Sequence, residues 1–322
     1  MSEAARRIGA VSMNPKRRLY QAIDFSERVG LKLKKTSLSQ RAAGRFLIDL
    51  ILLPSDLKKI VLTYNEHLGR VPHLIRPRNF NEHLQQAKLM RRKKLYTQWA
   101  DKIAVRAYVE GKIGTEYLTR LLWCGSDVRE VDIDSLPASF IIKPNQGSGV
   151  NIIVRDKQTV DWNAIYNETK EWLLSDNSIP FAEWQYRWID RKILIEQLLV
   201  DAQGGIPMDY KFFCFHGRVE IVQVDHDRFG WHTRNLYDRQ FTLLPVSLQY
   251  PNYEGPIEKP SSFEEMVMLA EVLSDKEPFV RVDFYHIDRP IFGEITLHPG
   301  AGVEKFTPEQ FDITLGKLLE TR

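Results

Sequence analysis

The chain has 322 residues, 43% hydrophobic and 27% charged, which is enough apolar material for about two domain-sized cores and too much for a disordered protein. A formal net charge of +3 is small for this length, so bulk charge gives no reason to expect nucleic acid as a partner. Cys124 and Cys214 are the only cysteines and have no metal-ligand spacing, which excludes a disulfide framework or structural zinc and fits a reducing compartment. The longest apolar stretch, Phe46 to Leu53, is interrupted by Asp49 and falls far short of the ~20 residues a membrane span needs. A soluble cytoplasmic protein is expected.

Charge is unevenly distributed. Residues 1–60 hold thirteen Lys and Arg, among them Arg6, Arg7, Lys16, Arg17 and Arg18, against five Asp and Glu. Helix formers dominate from Thr36 to Tyr64. Within them, Phe46 to Leu53 either packs on the body of the protein or lies against an anionic membrane surface beside the basic residues. Asn81 to Val109 reads as helical, with Trp99, Ala100, Ile103, Ala104 and Val105 supplying an apolar face.

From Leu136 the pattern changes to short strands separated by helices. Strands are predicted at Phe140–Ile142, Ile152–Val154, Ile193–Ile195, Phe212–Phe215, Val219–Val224, Phe279–Tyr285 and Ile291–Leu297. One helix is predicted after Ser262, whose hydroxyl and Glu265 form a capping-box pattern, and another from Thr307-Pro308 with Gln310 completing its cap. The order of elements predicts an α+β body, with residues 1–79 as a basic, mainly helical segment and 80–322 as the functional domain.

Three stretches carry chemistry. The first, Ile141 to Asn151, delivers Lys143 from a strand into the loop Gly147-Ser148-Gly149. Glycines let backbone N–H groups approach an anion, and Lys143 adds a point charge for phosphate, although a plain hairpin turn has the same outline. The second pairs Arg281-Val282-Asp283 with Gly293-Glu294-Ile295-Thr296. If the two are strands of one hairpin in the register that opposes Asp283 and Glu294, their β-carbons are ~4.5–5.5 Å apart, suited to a shared Mg²⁺; a solvated face neutralised by Arg281 is the alternative. The third, Ile193 to Leu199, is a buried strand ending in Glu196. Its carboxylate and the following backbone could receive an adenine, or the strand is ordinary core. A polar stretch from Asp225 to Asn235 offers Arg228 and Arg234 as a fork for a substrate carboxylate, or is an exposed loop.

In this order the motifs resemble the TupA-like ATP-grasp family, associated with teichuronopeptide and other surface-polysaccharide biosynthesis. The resemblance runs from about Phe80 to Leu319. It rests on Phe80-Asn81-Glu82, Ala100-Asp101-Lys102 with Val105-Arg106, the Lys143 to Asn151 loop, Asp209 to Phe215, His232-Thr233-Arg234-Asn235, Phe279 to Asp283 and Gly293-Glu294. It implies an ATP-grasp fold in which two α+β subdomains, about 96–195 and 196–322, clamp ATP. Lys102 and Lys143 would meet phosphates under Gly147, Ser148 and Gly149, while Glu196, the backbone at Leu198, Asp209 and the adjacent Lys211 would hold adenine and ribose. Asp283 and Glu294 would hold Mg²⁺, Arg281 would steady the transferring phosphoryl group, and Arg228, Arg234 and Asn235 would receive substrate. Many superfamily members carry Asn two residues after the metal-binding Glu, where this chain has Thr296, a weaker Mg²⁺ ligand.

The expected activity is a carboxylate–amine ligase that phosphorylates a carboxylate from ATP and passes the acyl group to an amine. The resemblance suggests a uronic-acid sugar or glycan as the acid and an amino acid as the amine. Two other activities use the same site: a kinase acting on a glycan hydroxyl, with Asp225, Asp227 or His298 as base, and a non-catalytic ATP-binding scaffold. Peripheral membrane contact through the basic segment is compatible with each of them.

Overall fold

The computed structural model describes residues 15–226 and 231–320. It divides into two compact units, residues 1–62 and 63–322. No helix among the described residues is long and apolar enough to cross a membrane.

In the first unit, helix α1 (Pro15–Lys34) runs antiparallel to the first two-thirds of α2 (Ala42–Leu68). The pairing is fixed by Lys58 Nζ on Asp24 at 2.7 Å, by Ser55 and Lys59 on Glu27 at 2.7 and 2.6 Å, and by Gly30, where a β-carbon would sit 2.6 Å from Leu52 Cδ2. Helix formation between Thr36 and Tyr64 is as expected. The stretch Phe46 to Leu53 is divided within itself: Ile48 and Leu52 are buried, while Phe46, Leu47 and Leu50 are exposed.

The second unit begins with α3 (Phe80–Met90), α4 (Lys94–Ala100) and α5 (Ala104–Ile113), so the helical run expected over Asn81 to Val109 is three helices. Asn79 caps α3 by accepting the Glu82 N–H, and Asp101 Oδ1 accepts the N–H groups of Ile103 and Ala104 at the entry to α5. An antiparallel four-stranded sheet follows in the order β1 (Leu121–Gly125), β4 (Ile193–Gln197), β2 (Phe140–Pro144), β3 (Ile152–Val154), with α6 (Trp162–Leu174) against it. Phe140, Ile142, Ile193 and Ile195 pack with Ile165 and Trp172 to form its core.

A second antiparallel sheet has the order β10 (Pro290–Thr296), β9 (Phe279–His286), β5 (Asp209–Phe215), β6 (Arg218–His226), β7 (Thr233–Asp238). Both faces are covered, which is why every residue of β5 is buried. Phe212, Val280 and Val282 pack on one side with Trp99, Val109 and α7 (Phe263–Leu273). On the other side Phe213, Phe215 and Phe279 pack with Phe80, Leu84 and α8 (Gln310–Glu320). A short ribbon, β8 (Ser247–Leu248) with β11 (Phe306–Thr307), completes the unit.

Two helix starts differ from expectation. Ser262 precedes α7 without capping it: its hydroxyl lies 2.8 Å from His286 Nδ1, and Glu265 accepts from the Tyr117 hydroxyl at 2.7 Å. Each partner comes from elsewhere in the fold, so tertiary contacts displace the local box. Helix α8 begins at Gln310, because Thr307 is held in β11 against Ser247.

Candidate functional site

The hairpin β9–β10 sets the centre of the site. Phe292 opposes Phe284, and an unbroken ladder would then pair residue 293 with Asp283; a bulge at Gly293 instead brings Glu294 opposite Asp283 and Thr296 opposite Arg281. Gly293 suits this bend because an added β-carbon would lie only 3.1 Å from the Asp283 carbonyl oxygen. Lys211 on β5 opposes Asp283 from the other side. Period-2 alternation then places Arg281, Asp283, Glu294, Thr296 and Lys211 on one face.

Their charges interlock. Arg281 donates through Nε and Nη2 to the two Asp283 oxygens, both at 2.7 Å, and through Nη2 to Glu294 Oε1 at 3.2 Å and Thr296 Oγ1 at 3.0 Å. The Thr296 hydroxyl donates to Glu294 Oε1 at 3.1 Å, so it positions both charged neighbours. Lys211 Nζ bridges Asp209 and Asp283, the latter at 3.0 Å. Burial works to raise the Glu294 carboxyl, but Lys102, Arg281 and Lys211 outweigh it and hold it down at about 2. At Asp283, which is 1% exposed, burial pushes the carboxyl up while Arg281 and Lys211 pull it back. Burial likewise pushes the Lys102 ammonium down, with Glu294 opposing.

The first sheet supplies the remaining cations. Lys143 on β2 lies 3.1 Å from Glu196 Oε2 on β4, and Arg106 on α5 lies 3.0 Å from Oε1, so the Glu196 carboxylate is held between two cations. Leu198 follows that strand and is buried. Lys102 Nζ donates to the Gly147 carbonyl, which brings the residue before α5 against the glycine loop. Gly147 adopts φ +76°, and a β-carbon there would meet Asn177 Nδ2 at 2.1 Å, so only glycine fits; Ser148 and Gly149 beyond it are exposed.

Sequence reasoning missed the group that assembles these parts. Asn145, 1% exposed, donates to Asp101 Oδ1 and the Asp190 carbonyl, both at 2.9 Å, and accepts from Lys192 N at 2.8 Å, while its carbonyl accepts from Lys102 N at 2.8 Å. It ties the Asp101–Lys102 turn to β2 and β4. On α3, Asn81, Gln85 and Lys88 form a polar stripe buried at 4- and 3-residue spacing. They donate to the carbonyls of Glu304 at 2.9 Å, Gly302 at 2.7 Å and Ala301 at 2.8 Å respectively, which fixes the loop that follows β10. That loop needs fixing because Gly300, Ala301 and Gly302 all have positive φ. The one visible signal was the spacing of these three polar residues along α3.

Arg234 shares the sheet face of Asp209 and Lys211, since Asp225 opposes Asp209 and Arg234 opposes Asp225. Arg228 and Asp227 lie outside the described residues. Arg234 on β7 forks onto Asp225 at 2.6 and 3.4 Å and onto Glu304 at 2.8 Å, so its donors are occupied within the protein. Asn235 accepts from Tyr253 N at 3.0 Å and donates to the Tyr253 carbonyl at 3.1 Å, pinning that turn. His298 is buried with Nδ1 3.3 Å from Gln185 Nε2, and burial lowers its pKa well below the usual histidine range.

A comparison with protein families matches residues 82–320 to the TupA-like ATPgrasp description. The chain belongs to the TupA-like ATP-grasp family. The α+β body with its two antiparallel sheets is accordingly an ATP-grasp fold, and the matched span includes every described site residue named above except Asn81. Among solved structures, the chain is similar to D-alanine–D-alanine ligase from Bacillus anthracis complexed with ATP, at 14% identity and TM-score 0.39 over 62% of this chain and 55% of that one. It is also similar to L-amino acid ligase from Bacillus licheniformis, at 12% identity and TM-score 0.41 over 88% and 56%. A third similar structure is N5-carboxyaminoimidazole synthase from Aspergillus clavatus with ADP, at 10% identity and TM-score 0.37 over 63% and 45%. The chain thus spans about half the length of these proteins. No curated protein sequence matches.

Proposed function

We propose that this TupA-like ATP-grasp protein is an ATP-dependent carboxylate–amine ligase that works through an acyl phosphate. The observation that carries the proposal is the bulge at Gly293, which sets Glu294 across from Asp283 with Arg281 bridging both. Two carboxylates opposed across a hairpin repel unless cations lie between them, and a phosphoryl-transfer site uses such a pair to hold a metal ion.

Asp283 and Glu294 would hold Mg²⁺, which takes one or two carboxylates together with phosphate oxygens, once Asp283 exchanges its contacts with Arg281 and Lys211. Bound there, Mg²⁺ would supply charge neutralisation at the phosphates. Lys102 and Lys143 bind the ATP phosphates beneath Gly147, Ser148 and Gly149. Glu196, the Leu198 backbone, Asp209 and Lys211 hold adenine and ribose. Arg281 neutralises charge on the γ-phosphoryl group as an oxygen of the substrate carboxylate attacks phosphorus and the bond to the β-phosphate oxygen breaks, releasing ADP. The amine then attacks the acyl carbon, phosphate leaves with the bonding pair, and the amine proton passes to solvent. Positioning and charge supply most of this catalysis, so no nucleophilic side chain is required.

For substrates we infer a uronic-acid sugar or glycan as the acid and an amino acid as the amine, in surface-polysaccharide biosynthesis. Family membership supports this class. With Arg234 occupied by Asp225 and Glu304, its part in binding substrate requires those ion pairs to exchange; Arg228 and Asn235 are the companion candidates. The functional domain on this reading begins near residue 80.

The test is purified protein with Mg²⁺ and ATP, screened against uronic acids and their sugar nucleotides in combination with amino acids. ADP release that depends on both acid and amine, with a product lighter by one water than their sum, is the expected result. Phosphate retained on a sugar would show a kinase, and nucleotide binding with no turnover on any pair would favour a scaffold.

A further inference from the structure

The first unit carries a surface that ATP chemistry does not use. At roughly 100° per residue, Ala43, Phe46, Leu47, Leu50, Pro54 and Leu57 fall within about a third of the circumference of α2, turned away from α1. All six are exposed, and the four large ones among them, Phe46, Leu47, Leu50 and Leu57, are between 42% and 66% exposed. The side of α2 that meets α1 is marked by Leu52, Ser55 and Lys59. Partly buried Leu53 lies beside the exposed face and Val61 within it, so the apolar band covers about a third of the helix circumference.

Charge in the same unit has one dominant sign. Residues 1–62 hold thirteen Lys and Arg against five Asp and Glu, whereas the rest of the chain holds thirty-two against thirty-seven. Arg28, Lys32, Lys35, Arg41 and Arg45 are all exposed, while Asp24 and Glu27 are engaged by Lys58 and Lys59. Arg28 and Lys32 lie on α1, and Arg45 falls about 150° around α2 from the apolar face, so these cations give the unit a net positive charge without flanking that face.

We propose that α2 docks on an anionic lipid bilayer, with Phe46, Leu47, Leu50 and Leu57 entering the headgroup–acyl boundary and the net positive charge of the unit adding attraction to the anionic surface. A second copy of the chain is the weaker occupant because two copies would bring like-charged units together without compensation. A bilayer with negative headgroups matches the sign.

The test uses the full chain without ATP or substrates, so it stands apart from the ligase proposal. Flotation is measured with vesicles of phosphatidylcholine alone and with about a third phosphatidylglycerol. Binding to the anionic vesicles, weakened at high salt and lowered at least about tenfold in Phe46→Ser/Leu50→Ser, is expected. Arg41→Gln/Arg45→Gln should weaken binding and flatten its salt dependence, with circular dichroism confirming that each variant is folded. Absence of anionic-vesicle binding, or equal binding to both vesicles, overturns the proposal. So does a concentration-dependent dimer that the serine variant dissociates while the wild-type chain ignores vesicles.

Discussion

Glu294→Gln separates the electrostatic account of the site from a merely structural one. Lys102, Arg281 and Lys211 hold the Glu294 carboxyl at about 2, against an ordinary value of 4.5. At 1.36 kcal/mol per unit this is about 3.4 kcal/mol in a dry site. The side chain is 34% exposed, however, and solvent screening reduces the figure to roughly 1–2 kcal/mol. The sign follows from proton binding: the folded carboxylate resists protonation, so its stabilisation is complete above about pH 4.5 and disappears as pH falls through 2. Chemical denaturation from pH 7 downward should therefore show Glu294→Gln less stable by about 1–2 kcal/mol at neutral pH, with the difference closing under acid. In the ligase assay the same variant should lose ADP release by about a thousandfold, since the glutamine keeps its shape but presents no anion to Mg²⁺. Wild-type turnover in Glu294→Gln would refute the metal assignment, and a stability difference that stays constant down to pH 2 would refute the charge argument.

Three further variants probe neighbouring parts. Asp283→Asn leaves Arg281 and Lys211 facing a neutral amide in a buried position, so it should lower stability by about 3 kcal/mol in denaturation and abolish ADP release; full activity would remove Asp283 from the site. Gly147→Ala forces a β-carbon into Asn177 at φ +76°, and it should raise KM for ATP by about tenfold, a loss that Gly147→Ala/Asn177→Ala only partly restores because the backbone strain of about 1–2 kcal/mol remains. Lys88 is pushed by burial down to about 8 from 10.5, so the folded chain binds fewer protons than the unfolded chain between those values and stability should rise with pH across that window by up to about 3 kcal/mol. Lys88→Met should lack that rise, and a rise that persists in it would assign the titration to another group.

Much of the second unit was legible because its strands alternate and its motifs are contiguous. Arg281-x-Asp283 and Glu294-x-Thr296 each lie within one strand, so period 2 put each pair on one face, and the register that joins them could be posed as a question before the structure answered it. The answer depended on Gly293, whose bulge shifts the ladder by one residue. Glycine at that position was visible, but a bulge is a property of two strands together and cannot be read from one. The same limit explains Ser262: its box was correct as local chemistry, and His286, 24 residues away, was the partner that won. Arg234 was expected to meet substrate as a fork for a carboxylate; its partners Asp225 and Glu304, 9 and 70 residues distant, are contacts that no local pattern announced.

Asn145 and Lys88 show a further reason why part of the site was hidden. Lys102 is 41 residues from Lys143 in sequence, and Asn145 holds the turn containing Lys102 beside β2. Asn145 donates to Asp101 and Asp190 and accepts from Lys192, which joins two separate segments of chain; such a residue is informative only when its partners are known. Lys88 acts in the same way at the other end, binding the carbonyls of Phe181 and Ala301 at 2.9 and 2.8 Å and so joining the segment before Glu183 to the loop after β10. On the proposed mechanism, in which positioning supplies most of the catalysis, the turn and the loop that these two side chains hold matter as much as the charges proposed to meet ATP.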